Sequence, residues 1–181
     1  MQRVLVSFLA ASVVVVAGMA AQAQARPDFS GTWVLDRDRS DPPGMGPGGG
    51  PGVPGTGGPG GPAGAGFRGG ASTLTITQTG AELKLQREGR DGPVTSTYAL
   101  DGSESRNPGF RGGESRSKSH WDGDALVTEG KQTMETPDGS VTMDFKEVRR
   151  LADDRKTMLV ETTRTSPRGT TTRKTVYTKK T

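Results

Sequence analysis

A succession of short segments that alternate apolar and polar residues runs from residue 71 to the C-terminus. Tight turns separate these segments at Thr79-Gly80, Asp91-Gly92, Asp101-Gly102, Asp122-Gly123, Asp138-Gly139 and Pro167-Arg168-Gly169. Period-two alternation between such turns is typical of antiparallel hairpins in a meander. The apolar content is too low for two packed sheets, so the pattern predicts one all-β domain whose up-and-down strands close into a small barrel.

The turns place nine strands, within a range of eight to ten. They are expected near residues 30–36, 72–79, 82–88, 93–100, 114–121, 124–134, 139–149, 156–166 and 170–179. One face of these strands collects the predicted core: Trp33, Leu35, Leu74, Ile76, Leu83, Leu85, Val94, Tyr98, Leu126, Val141, Met143, Phe145, Met158 and Val160. Four polar residues share that face, namely Ser96, Thr128, Gln132 and Thr162. This mixture suits either a partly polar cavity or a thin core near the barrel ends.

The N-terminus predicts export. Arg3 precedes a nearly unbroken apolar run from Val4 to Met19, and small residues around Ala23 and Ala25 offer cleavage sites. This order is that of a secretory signal peptide over residues 1–25, and the run is short of the roughly 20 apolar residues that span a membrane. Because there is no cysteine, neither a lipid anchor nor a disulfide framework is expected. The mature chain, residues 26–181, is expected to be periplasmic or secreted.

A Gly/Pro-rich segment occupies residues 41–70 and carries almost no charge. Such a composition cannot bury enough apolar area to offset its chain entropy, so we expect a disordered loop after the first strand. Strand one is too short to be stable alone and must pair across this loop with the later strands. Closing about 30 residues instead of about 5 costs only roughly 1.5 kcal/mol, so one domain with a long loop is predicted.

The chain is mildly basic, with 24 Lys and Arg against 20 Asp and Glu, and the excess of basic residues is concentrated at the C-terminal end. The cations of this end are Arg149, Arg150, Arg155, Lys156, Arg164, Arg168, Arg173, Lys174, Lys179 and Lys180. One interpretation is a surface for an acidic partner at the cell envelope. The interpretation we favour places these cations on the solvent faces of the last strands, where they also discourage edge-to-edge association.

Candidate catalytic residues are few. The single histidine, His120, lies beside a predicted tight turn and is expected at the surface. No nucleophile motif is present, and no cofactor or metal site is expected because His and Cys clusters are absent. The repeat of Gly66-Phe67-Arg68-Gly69-Gly70 at residues 109–113 resembles nucleic-acid-binding segments, but two copies in an exported chain favour loop chemistry. We therefore expect a protein that is not an enzyme and does not bind nucleic acid.

The first predicted strand resembles the opening strand of lipocalin-like, calycin-type barrels, and especially that of a group of exported bacterial proteins of this type. Its residues are Phe29-Ser30-Gly31-Thr32-Trp33-Val34-Leu35-Asp36. Residues 74–78, 98–102, 121–127 and 176–177 resemble the succeeding strands in order. The resemblance implies that Gly31 and Trp33 pack at the closed end of the barrel against an Arg from a late strand, with Arg164 or Arg173 as candidates. Residues 41–70 differ from the lid that covers the barrel mouth in lipocalins.

The resemblance also implies a small, apolar or amphipathic ligand inside the barrel. The candidate contacts are inward-facing residues: Trp33, Tyr98, Leu126, Met143, Phe145 and Met158. Burial of Trp33 in the core without ligand contact is the more common arrangement. The alternative function is a cell-envelope interaction protein that uses the Gly/Pro loop and the basic C-terminal strands and has no ligand cavity.

Overall fold

The computed structural model describes residues 26–42, 71–89, 92–109, 113–136, 139–167 and 169–181. The predicted signal peptide, most of the Gly/Pro segment and the two arginines of the repeated motif lie outside these residues. The described residues form ten strands: β1 Gly31–Asp36, β2 Thr73–Gln78, β3 Glu82–Gly89, β4 Gly92–Ala99, β5 Glu104–Pro108, β6 Glu114–Asp122, β7 Ala125–Thr136, β8 Gly139–Leu151, β9 Thr157–Ser166 and β10 Gly169–Lys179.

The ten strands make one antiparallel sheet in the order β4-β3-β2-β1-β10-β9-β8-β7-β6-β5. Apart from β4 and β5, strands that are neighbours in sequence pair with each other, and β1 pairs with β10, where Trp33 lies opposite Lys179. The sheet therefore curls into a nearly closed barrel, and a seam remains between β4 and β5. The predicted all-β, up-and-down barrel is confirmed.

Glycines at the predicted turns adopt the backbone geometry that the turns require. Gly102 has φ of +86° and Gly123 has φ of +57°, a region that residues with a Cβ rarely enter. These turns fix where each strand reverses. Fixed reversals combined with period-two side chains determine which face of each strand points inward.

Strand β5 was not predicted. It spans Glu104–Pro108, a stretch with no apolar side chain for periodicity to detect. Its two buried residues are polar, Ser105 and Asn107. Because these side chains bond to the backbone of β4 across the seam, tertiary contacts and not strand propensity hold this strand in place.

The core fills one end of the barrel, which we call the closed end. Its centre consists of residues with 0% exposure: Phe29, Trp33, Leu83, Leu126 and Met158. Exposure along the inward face of β8 rises toward the opposite end, from 4% at Arg149, through half-buried Phe145, to 36% at Val141. The predicted core position of Val141 is therefore wrong, because this part of the inward face opens to solvent. We call this opposite end the mouth.

Candidate functional site

A polar row crosses the inner wall of the barrel about halfway between the closed end and the mouth. The pairing register aligns Arg173 of β10, Thr162 of β9, Glu147 of β8, Thr128 of β7 and Ser119 of β6. Thr128 and Ser119 are buried, and their hydroxyl oxygens lie 2.8 Å apart in a hydrogen bond. The interior therefore carries a band of hydrogen-bonding groups directly above an apolar floor.

Arg149 lies next to this row on the side of the closed end. Its side chain is buried, forms an ion pair with Glu147 and sits with its guanidinium carbon 5.8 Å from the centre of the Tyr98 ring. The Nε of Arg149 is buried and has no hydrogen-bond partner. A buried guanidinium with an N–H that has no partner can donate a further hydrogen bond to an anion or a carbonyl oxygen.

Three more guanidinium groups face inward by strand parity: Arg87, Arg164 and Arg173. Burial lowers the pKa of Arg164. The charge of Glu147 raises this pKa, and the nearby charge of Arg173 lowers it. Arg173 donates from Nη2 to the carbonyl oxygen of Asp41 over 2.9 Å, while its Nε is buried without a partner. Glu147 is the only carboxylate on the inward faces of the ten described strands.

Two tyrosines complete this cluster. Burial raises the pKa of Tyr177 to about 12, and the negative charge of Glu147 adds to the shift. Burial, and then the charge of Glu147, also raises the pKa of Tyr98, although its side chain keeps partial exposure. Tyr98 also packs against the buried apolar residues of the closed end and lies opposite Leu83 in the pairing of β4 with β3. We call these two tyrosines the inner cluster, together with Arg87, Arg149, Arg164, Arg173 and Glu147.

The residues predicted as ligand contacts separate into two groups. Trp33, Leu126 and Met158 are fully buried in the packed floor. Tyr98 is half-buried in the inner cluster beside Arg149, whereas Met143 and Phe145 are half-buried on the part of β8 that runs toward the mouth. The three side chains of this second group keep partial exposure, whereas the floor residues have none.

At the closed end, Trp33 donates from Nε1 to the carbonyl oxygen of Phe29 over 2.8 Å. The cation that covers its ring is Lys179, with Nζ 5.4 Å from the ring centre. A Cβ on Gly31 would lie 2.6 Å from Cε of that lysine. Gly31 and Trp33 thus lie at the closed end beside Lys179, whereas Arg173, one of the two arginines expected against Trp33, belongs to the inner cluster.

The predicted placement of the C-terminal cations on solvent faces is wrong for Lys179, which covers the Trp33 ring, and for three arginines. Arg149, Arg164 and Arg173 share the inward parity of Phe145, Val160 and Tyr177, respectively. That parity was readable in the sequence. The general rule that arginine is rarely buried predicts the opposite placement, and it fails here because several charged and polar groups lie together on the inner wall.

Two clefts lie outside the barrel interior. One of about 620 Å³ runs along the seam and is bordered by residues such as Thr97, Ala99 and Ser105. The other, of about 280 Å³, lies at the closed end beside Trp121. His120 is exposed, and the described residues contain no group of three or more His, Cys, Asp or Glu that could hold a metal ion. No described helix is long and apolar enough to cross a membrane.

Comparison with solved structures gives the fold. A structure titled REP1-NXSQ fatty acid transporter matches 84% of this chain and 96% of its own with a TM-score of 0.50 at 10% identity. This chain has a calycin-like barrel fold. Zebrafish ileal bile acid-binding protein in complex with cholic acid matches 60% of this chain and 72% of its own, with a TM-score of 0.42 and 16% identity. No protein-family model and no curated protein sequence matches the chain.

Proposed function

We propose that this protein binds a small amphipathic molecule inside the barrel, with an anionic head group held by the inner cluster. The observation that carries this proposal is the charge of the interior, where four inward guanidinium groups face one inward carboxylate among the described strands. Removing charges from water is costly unless opposite charges or hydrogen bonds compensate. An anionic guest would add a second negative charge to that of Glu147 beside these four cations.

The distribution of apolar side chains suggests how such a guest would be oriented. The floor is already filled by Trp33, Leu126 and Met158. Half-buried Phe145 and Met143 line the wall toward the mouth. The apolar part of the guest would therefore point toward the mouth, and its head group would reach inward to Arg164 and Arg173. Guanidinium groups suit carboxylate, sulfonate or phosphate because their planar N–H donors match such oxygens in pairs.

The fold supports a binding role without fixing the ligand, since one fold hosts many functions. The fatty acid transporter of the same fold is named for an amphipathic anion, which agrees with the chemistry of the inner cluster. We propose a carrier or binding protein and not an enzyme. From the N-terminal pattern we also propose that it works after export, in the periplasm or outside the cell.

The alternative of an envelope interaction protein with basic C-terminal strands loses part of its support. Arg149, Arg164 and Arg173 were among the cations that this surface would have used. Since they face inward, the charge that would attract an acidic partner is reduced on the outside of the barrel.

The test uses two fluorescent probes that differ by one group. Anilinonaphthalene sulfonate carries a sulfonate, and N-phenyl-1-naphthylamine has the same aromatic skeleton without it. Titration of the full-length mature chain should give one site per barrel for both probes, with the sulfonate bound more tightly. Arg164→Gln and Arg173→Gln should each weaken sulfonate binding by about tenfold, the scale of one charge-assisted hydrogen bond, and leave the neutral probe within twofold.

Arg150→Gln is the matched control, because Arg150 is exposed on the outer face of β8 beside Arg149. It should change neither affinity. Absence of a one-to-one complex with either probe would overturn the proposal, as would equal weakening of sulfonate binding by the Arg150, Arg164 and Arg173 variants.

A further inference from the structure

Glu147 is a carboxylate inside a site that is proposed to bind an anion, so its negative charge repels the guest. Its carboxylate is inside the barrel, with 19% side-chain exposure, and lies in the same row as Thr162 and Arg173. The surrounding elements present Arg149 on β8, Arg164 on β9, and Arg173 with Tyr177 on β10. From the opposite wall, β3 presents Arg87 and β4 presents Tyr98.

The field of Glu147 reaches most of this cluster. It contributes to the raised pKa values of both Tyr98 and Tyr177 and favours the charged form of Arg164. Its direct partner is Arg149, which is 4% exposed. Glu147 therefore compensates one deeply buried cation and at the same time lowers the positive potential felt by anything placed among the other guanidinium groups.

We propose that Glu147 is the internal counter-ion of the head-group site and the residue that sets its affinity for anions. In the empty barrel it neutralises Arg149, so the head group is directed to the β9–β10 side, toward Arg164 and Arg173. Its negative charge also keeps anion affinity below the level that the guanidinium groups alone would give. This inference rests on the proposed function and concerns the charge selection of that same site.

The decisive variant is Glu147→Gln, which removes the charge and keeps the shape of the side chain. We expect it to tighten anilinonaphthalene sulfonate by about tenfold, because a repulsive charge a few ångströms from the sulfonate disappears. The neutral N-phenyl-1-naphthylamine should stay within twofold of the wild-type chain. Glu161→Gln is the control, since Glu161 is exposed on the outer face of β9, and it should alter neither affinity.

A second variant keeps the test valid if the single change prevents folding. Glu147→Gln with Arg149→Met removes the whole ion pair, and neutral replacement of a buried pair is often tolerated. If Glu147 cancels Arg149, this double variant should bind the sulfonate within about threefold of wild type. Loss of sulfonate binding in the double variant would instead make Arg149 the direct ligand of the head group and overturn the inference.

The outcomes separate the two proposals. A wild-type chain that binds neither probe overturns both of them. A wild-type chain that binds the sulfonate through Arg164 and Arg173, together with a Glu147→Gln variant that binds it equally or more weakly, overturns only the role given to Glu147. Tightening of both probes to the same extent would also contradict that role, because it would show a change of shape and not of charge.

Discussion

The side-chain amide of Asn107 hydrogen-bonds both backbone groups of Thr97 across the seam of the barrel. The backbone N–H of Thr97 donates to Oδ1 over 2.7 Å, and Nδ2 donates to the Thr97 carbonyl oxygen over 2.9 Å. Nearby, the backbone N–H of Ala99 donates to Oγ of Ser105 over 2.8 Å. Side chains of β5 thus supply hydrogen bonds to the edge of β4 that a neighbouring strand would otherwise supply.

Asn107→Ala should loosen this seam. Asn107 is 7% exposed, so the truncation leaves two backbone groups of Thr97 with poor access to water. We expect a loss of about 2 kcal/mol in the free energy of unfolding, measured by urea denaturation. Amide hydrogen exchange at Thr97 should accelerate as well.

Arg106→Gln is the control for the seam, because Arg106 is exposed and its ion pair with Glu104 lies on the outer face. A shift below about 0.5 kcal/mol is expected there. Unchanged stability and unchanged protection of Thr97 in Asn107→Ala would show that the seam does not depend on this amide.

Gly31→Ala should destabilise the closed end. Gly31 has φ of +132°, and the new Cβ would lie 2.6 Å from Cε of Lys179. We expect a loss of about 1–3 kcal/mol, because the backbone is strained even where the lysine moves away. Lys179→Ala added to this variant should restore only part of the loss in thermal unfolding.

Gly80→Ala provides the comparison for Gly31. No atom lies within 4 Å of a Cβ built on Gly80, so this substitution should leave stability unchanged or raise it slightly. An equal loss at both glycines would mean that neither the φ of Gly31 nor its contact with Lys179 is responsible.

Tyr177 should make the fold sensitive to high pH. Its pKa is raised to about 12 in the folded chain, against about 10 in an unfolded chain. The unfolded state then loses its proton first, so stability is complete below pH of about 10 and falls as the pH rises toward 12. Tyr177→Phe should remove up to about 3 kcal/mol of this pH dependence.

Absorbance at 295 nm checks the Tyr177 prediction directly. Since the pKa of Tyr98 is also raised, the folded chain should show little phenolate absorbance at pH of about 10. A full phenolate step near pH 10 under folded conditions would contradict the burial of both hydroxyls.

Asp154 should give the fold an acid-sensitive turn between β8 and β9. Its Oδ1 accepts from the backbone N–H groups of Lys156 and Thr157, and its Oδ2 accepts from the Thr157 hydroxyl, each at 2.8 Å. These bonds lower the pKa of Asp154. Its contribution is complete above the ordinary Asp value and is lost as the pH falls through the lowered folded value.

Asp154→Asn should therefore lower the thermal unfolding temperature at neutral pH, and the difference from wild type should shrink below pH of about 4. Asp153→Asn is the control, because Asp153 is exposed in the same turn. A gap between Asp154→Asn and wild type that stays constant down to pH of about 2 would contradict an ionic origin of the effect.

Much of the fold was readable from local patterns. The turns at Gly102 and Gly123, the alternation on strands such as residues 73–78, and the burial of Trp33 all follow from residue chemistry over a few positions. Strand β5 and the inner cluster were not predicted. Ser105 and Asn107 lack any apolar signature, and the charge of Arg149 predicts a surface position although its parity with Phe145 places it on the inner wall.

The sequence by itself determined the class of fold, the places where the chain reverses and the face on which each side chain lies, because turn geometry and the two-residue period act over a few neighbouring residues. Only the tertiary structure decided which of those faces meet. Pairing of β1 with β10 joins β2–β4 to the rest of the sheet, and the curl of the sheet then brings Tyr98 of β4 against Arg149 of β8, with the guanidinium carbon 5.8 Å from the ring centre. The burial of Arg149 and the raised pKa of Tyr98, to which Glu147 contributes, depend on this contact between distant strands, which no local pattern contains.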